Sequence, residues 1–191
     1  MRIRESGMPD EAQWATFFSP TKILAMLGLR STHREVIDFG CGYGTFAVPS
    51  ATIAQGPVHA IDIDPAMVEA TRRKADQLGI RNLVAVQRDF VAEGTGLPSE
   101  SADYAMLFNI LHAEERGALI QEAFRALRPG GILAVIHWQY DPSTPRGPSM
   151  SIRARPEQCV DWCRKGGFVV ADSAIAEVPL YHYGFIAVRP Q

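Results

Sequence analysis

Three glycines alternate in Asp38-Phe39-Gly40-Cys41-Gly42-Tyr43-Gly44, directly after the apolar pair Val36-Ile37. Residues without a Cβ take unusual dihedrals and let the backbone come close to a ligand. The segment after them, Thr45 to Gln55, is mostly apolar and helix-compatible. A helix starting there turns its unpaired N–H groups toward whatever lies over the glycines. A second signal follows. Val58-His59-Ala60-Ile61-Asp62-Ile63-Asp64 is another apolar run ending in carboxylates, and Asp62 lies 18 residues beyond Gly44. An acid at the tip of a second strand, about 20 residues past the glycine loop, accepts hydrogen bonds from ribose hydroxyls. The glycine run alone is equally well explained by a tight turn. The two signals in this order and at this spacing point to a nucleotide-like ligand.

The dinucleotide fingerprint has two residues between its second and third glycines, whereas this chain reads Gly-x-Gly-x-Gly. Asp38 also sets a carboxylate at the mouth of the loop, where it repels a pyrophosphate and favours a ligand carrying an amino group and a sulfonium. The stretch Asp38 to Gly44 resembles the first motif of the class I, Rossmann-like S-adenosylmethionine (SAM)-dependent methyltransferases, of the methyltransferase type 11-like kind. Ala60-Ile61-Asp62 is similar to their ribose-binding acidic motif, and Leu127-Arg128-Pro129-Gly130-Gly131 before a strand to another of their features. The resemblance covers Val36 to Trp138 well and the rest loosely. It implies SAM as cofactor, held by Asp38, Gly40, Cys41, Gly42, Gly44, Asp62, Ile63, Asp89, Phe90 and Asn109. Within that set, Asp89 would accept from the adenine amino group, Phe90 would flank the ring, and Asn109 to His112 would border the methionyl part and the acceptor. It also implies a three-layer α/β sandwich with a seven-stranded, mostly parallel sheet whose last strand is antiparallel.

Methyl transfer from a sulfonium is an in-line displacement whose thioether leaving group needs no proton. Such a site must align donor and nucleophile and exclude water, with a general base where the acceptor carries a proton. His112 is the candidate base, since an imidazole titrates near neutrality; it reads equally well as a histidine at a helix start with no catalytic part. His137 reads as a core or edge residue. Tyr181-His182-Tyr183 either lines an acceptor pocket or packs. The exocyclic-amine nucleic-acid methyltransferases, as a family, follow strand four with an acidic residue or Asn and then Pro-Pro-aromatic; here Ile110-Leu111 follows Asn109, so a nucleic-acid substrate is disfavoured. Arg146, Arg153 and Arg155 form a modest basic cluster that meets an anionic molecule or is solvated. A small-molecule methyl acceptor is the residual choice. A non-catalytic SAM-binding regulator or partner subunit is the alternative, and an NAD-dependent oxidoreductase a weaker one that the glycine spacing opposes.

The elements needed to hold these residues are legible in outline. The chain has 191 residues, 47% of them hydrophobic, and a net charge of −2. That suits one domain over 1–191 with one sizeable core, and opposes broad electrostatic capture of nucleic acid. No apolar run approaches the roughly 18 residues of a membrane span, and the start, with Arg2, Arg4 and Glu5, has no signal-peptide core. The expectation is a cytoplasmic protein, monomer or homodimer. Three cysteines make no disulfide framework; Cys159 and Cys163, four apart on a helix, read as core, and no metal site is expected. Residues 1–30 form a helical arm with Trp14, Phe17 and Phe18 close together, packing on the sheet or serving as a lid. Ala66 to Leu78 and Ala113 to Leu127 read as helices, and Leu83–Gln87, Tyr104–Asn109 and Ile132–Trp138 as strands. Tyr140 to Arg155 is a long linker before a helix over 156–165, and strands are expected at Phe168–Ala174 and Tyr181–Val188.

Overall fold

The computed structural model describes residues 9–172 and 174–191; Arg2, Arg4, Glu5 and the rest of the first eight residues of the expected arm lie outside them. Two short helices open the described chain, α1 (Glu11–Ala15) and α2 (Pro20–Met26). There follow in order β1 (Val36–Phe39), α3 (Ala47–Ile53), β2 (Val58–Asp62), α4 (Pro65–Gln77), β3 (Leu83–Gln87), β4 (Ala102–Phe108), α5 (Arg116–Ala126) and β5 (Leu127–Trp138). Helix α6 (Pro156–Lys165) and strands β6 (Ala176–Val178) and β7 (His182–Val188) complete it.

The seven strands form one sheet in the order β3-β2-β1-β4-β5-β7-β6. The first five are parallel to one another, and β7 runs antiparallel to both β5 and β6. This is the three-layer α/β sandwich with an antiparallel last strand that the resemblance implied. Every residue of β1 and β4 is buried, as expected of parallel strands covered on both faces. One face buries Leu119, Ile120 and Ala123 of α5 and Cys159, Val160 and Cys163 of α6. The other buries α2 and α3 with Phe17, Phe18, Tyr104 and Met106. Cys159 and Cys163 are fully buried free thiols, so the core role expected for them is where the fold puts them. Among the described residues no helix is long and apolar enough to cross a membrane.

Local chemistry explains most boundaries. Helix α4 begins at Pro65 behind Asp64, whose side chain accepts from the Ala66 N–H at 2.8 Å, and Gly79 ends it at φ +67. Helix α1 is capped by Asp10, which accepts from the Gln13 N–H. Ser19 precedes Pro20 at the start of α2 but makes no capping bond. The first of the two final strands is shorter and later than its apolar pattern suggests. Val169 makes only an isolated bridge to Val188, because Arg164 on α6 donates to the Val170 carbonyl and the Asp172 carboxylate at 2.8 and 2.7 Å and draws that segment off the sheet. Between β3 and β4 the chain crosses as a loop. It is tied to α5 by Glu122, which accepts from the N–H and hydroxyl of Thr95 and pairs with Arg125.

Candidate functional site

The strand order reverses direction between β1 and β4, and in open parallel sheets the crevice beyond the carboxyl ends at such a point is the ligand site. The loop after β1 fills one side of it. Gly40, Gly42 and Gly44 all have positive φ, at +75, +52 and +71. A Cβ on Gly44 would stand 2.9 Å from Thr71 Oγ1 on α4 and 3.1 Å from Val48 Cγ2 on α3, so this third glycine serves close packing on both helices. Thr71 also donates to the Gly42 carbonyl at 2.8 Å. The Cys41 thiol is buried against Thr71 at 3.6 Å, so the side chain faces down and only the backbone belongs to the loop.

The two sequence signals meet physically. Asp62 accepts from the Gly42 N–H at 2.9 Å with one carboxylate oxygen and from the Asp64 N–H at 2.9 Å with the other. The acid at the end of β2 is therefore clamped by the glycine loop and held in one orientation. Ile63, half-buried, lies between, its carbonyl accepting from Gln87. Asp38, only 3% exposed, has its carboxyl pushed up to about 7, first by burial and then by the charge of Asp62, against a bond from the Ala47 N–H. Burial likewise raises Asp62, against its backbone bonds. Two carboxylates in a partly dry crevice form a site for positive charge.

Opposite, at the tip of β4, Asn109 adopts φ +58, a left-handed conformation that Asn tolerates better than most residues. Its N–H donates to the Ile136 carbonyl at 2.7 Å, yet both atoms of its side-chain amide are buried without a partner among the described residues. An unsatisfied buried polar group costs about 1–3 kcal/mol, so a ligand that pairs with it is favoured. These features fit a cationic adenosyl group with an amino-acid tail. At the third strand, Asp89 accepts from the Val91 and Ala92 N–H groups at 3.1 and 3.2 Å, which sets the turn there. The Phe90 ring turns inward, edge-on to Phe39 with centroids 5.4 Å apart, in the core beneath the crevice.

Beyond Asn109, His112 is buried and its pKa is lowered to about 4 by desolvation. It lies in a turn before α5, and its ring stands edge-on to His137 with centroids 5.5 Å apart. His137 and His182 are fully buried, and burial takes both to about 3. Among the described residues, Nε2 of His137 and both ring nitrogens of His182 have no partner. Tyr183 packs inward, donating to the Ala154 carbonyl at 3.2 Å. The arginines of the linker are absorbed into its structure. Arg153 is buried and donates to the carbonyls of Gln139, Asp141, Arg146 and Pro148 and to the Thr144 hydroxyl. Arg155 stacks over Tyr140 at 3.8 Å, and Arg146 reaches Gln13 at 3.0 Å. The basic cluster expected here is not a free anion site. The partnerless state of His182 and the pinning role of Arg153 left no trace in the sequence, since both depend on which neighbours surround them.

Comparison with known proteins agrees with this geometry. Residues 36–131 match a family described as a methyltransferase domain. The aklanonic acid methyltransferase DauC of Streptomyces sp. (strain C5) is 39% identical over 93 residues, 47% of this chain and 41% of that protein. The ribosomal protein L11 methyltransferase of Shewanella pealeana is 33% identical over 110 residues, 56% of this chain and 35% of that protein. The chain thus spans well under half the length of these relatives. A SAM-dependent methyltransferase of Aquifex aeolicus has the same fold, with a TM-score of 0.82 and 24% identity over 94% of both chains. The clamped acid, the glycine loop and the matched segment coincide, and the chain belongs to the class I, Rossmann-like SAM-dependent methyltransferases, type 11-like.

Proposed function

We propose that this chain is one SAM-binding domain that transfers a methyl group from SAM to a small-molecule acceptor by in-line displacement. The observation that carries the reading is the Asp62 carboxylate held between the Gly42 and Asp64 N–H groups, beside the buried Asp38. When bound, SAM supplies a methyl group on a sulfonium that departs as a neutral thioether. Asp62 orients the ribose through its remaining lone pairs. The loop at Gly40 and Gly42 lets the backbone approach, with the Cys41 and Ile63 backbones at its border. Asp38 is the counter-charge for the cationic tail, Asn109 pairs with that tail's polar groups, and Asp89 reads the adenine edge. Phe90 supports this from the core. His112, uncharged at neutral pH because it is buried, accepts the acceptor's proton at an imidazole nitrogen. The arm closes over the crevice as a lid. The free, buried cysteines suit a cytoplasmic setting.

The name of the Streptomyces relative supports a small acceptor. The L11 methyltransferases favour a protein acceptor instead, but the Shewanella protein aligns with this chain over only 35% of its own length. Calorimetric titration with SAM and S-adenosylhomocysteine (SAH), then mass-spectrometric screening of small acceptors and of ribosomal protein L11 with labelled SAM, tests the reading. Binding plus a methylated small molecule is the expected result. No heat with either compound sinks the cofactor assignment, and labelled L11 with no labelled small molecule sinks the acceptor class.

A further inference from the structure

The row of histidines along the carboxyl edge is larger than the methyl-transfer reading uses. Asn109, His137 and His182 stand at the ends of three neighbouring strands, β4, β5 and β7, with His137 opposite Tyr183 and Trp138 opposite His182 in the β5–β7 register. His182 is the most anomalous of them. It is fully buried, lies between Phe18 and Trp138 with ring centroids 4.6 and 4.2 Å away, and leaves both ring nitrogens unpaired. A residue present only for packing would gain nothing from two buried polar atoms. Phe17 and Trp14 extend the apolar wall, at 5.6 and 6.4 Å from Trp138.

Resting on the methyltransferase reading, we infer that the acceptor sits between the arm and the tips of β5 and β7, and that it is an uncharged planar ring whose hydroxyl or carbonyl group hydrogen-bonds His182. Aromatic walls accept flat rings by edge and face contacts. The crevice has little for an ionic acceptor. The nearest cation, Arg153, already donates to five oxygens of its own loop, and among the described residues the titratable groups that act on His137 are His112, His182 and Arg153, while Arg153 acts on His182. An ordinary hydroxyl can both donate to and accept from an imidazole. His182 is covered by Phe18 in this state, so entry requires the arm to swing away as far as Phe18. The ties holding the arm's first turn lie on the rim: the Glu11–Lys74 ion pair, the bond from the Tyr43 hydroxyl to the Pro9 carbonyl, and that from Arg146 to Gln13.

Equilibrium dialysis of the SAH-loaded protein against 1-naphthol, naphthalene and 1-naphthoate tests the inference, with SAH binding measured separately by calorimetry. The expected result is at least tenfold tighter binding of naphthol than of either of the others. His182→Phe, which keeps a ring between Phe18 and Trp138, removes that preference, and His182→Asn, which keeps a donor and an acceptor, restores part of it. Should the Phe variant fail to fold, the three-probe comparison on wild type and the ¹⁵N shifts of the His182 ring on adding naphthol decide the matter. Equal binding of naphthol and naphthalene, tighter naphthoate, no naphthol binding, or an unmoved His182 ring overturns the inference. Failure of SAH to bind removes the methyltransferase reading and this one with it, whereas SAH binding without the hydroxyl preference removes this one alone.

Discussion

Asp38 holds its proton until about pH 7 because burial and the nearby Asp62 both disfavour its charge. Its folded pKa lies above the ordinary carboxylate value near 3.9. Its contribution to the stability of the ligand-free protein is thus complete below about pH 4 and lost as pH rises through 7. A cationic cofactor reverses that penalty, since only the ionised carboxylate attracts it. SAH affinity, through its ammonium group, is expected to rise about tenfold between pH 5.5 and 8 in calorimetry, and Asp38→Asn to flatten that rise. His112 behaves oppositely. Its folded value of about 4 lies below the ordinary 6.5, so its contribution is present above 6.5 and lost as pH falls toward 4. The turnover profile is therefore expected to show no acid limb near 6.5. His112→Ala should lower kcat by about 10²–10⁴-fold if the imidazole takes the proton, and an unchanged kcat would remove that role.

Two elements, α1 and the linker after β5, are held by very different ties. The polar ties of α1 are rim contacts, and exposed pairs contribute about 0–1 kcal/mol each. The next residues, Phe17 and Phe18, are core. Removing residues 1–15 is therefore expected to leave a folded protein with SAH affinity weaker by roughly tenfold, about 1.4 kcal/mol; unchanged affinity in a folded variant would exclude the lid. A cut after residue 20 would instead take away Phe17 and Phe18 and confuse stability with binding. The linker after β5 is the other element. The buried Arg153 guanidinium pins it through the loop's own carbonyls. Arg153→Met should leave several carbonyls unpaired at about 1–3 kcal/mol for each one kept from water. The loop should then open to trypsin at Arg146, read by limited proteolysis, and Arg153→Lys should rescue only partly, since an ammonium has three donors and no fork.

For the molecule as a whole, a ligand bound only by the folded state stabilises it by mass action. At a hundred times its Kd, SAH should contribute about 2.7 kcal/mol, or roughly 5–10 °C in Tm for a chain of this length. NAD at the same concentration should leave Tm unmoved. A shift with NAD alone in differential scanning fluorimetry would restore the oxidoreductase alternative. The order of strands and helices up to β5 was readable because each is a short apolar run bounded by glycine, proline or a capping acid, and such signals act over a few residues. So was the pairing of the glycine loop with Asp62, whose spacing reflects the length of one strand–helix–strand unit.

Residues adjacent in the chain thus pointed to a nucleotide-like ligand over the β1–β2 tips and to five strands, most of them joined by helices. Only tertiary structure decided the rest. It turned Phe90 into the core, drew residues 170–172 onto α6, buried Arg153 among carbonyls and left Asn109 and His182 without partners. Those outcomes depend on which distant groups share a desolvated space, and in water each of these side chains would be satisfied whatever its neighbours in the chain.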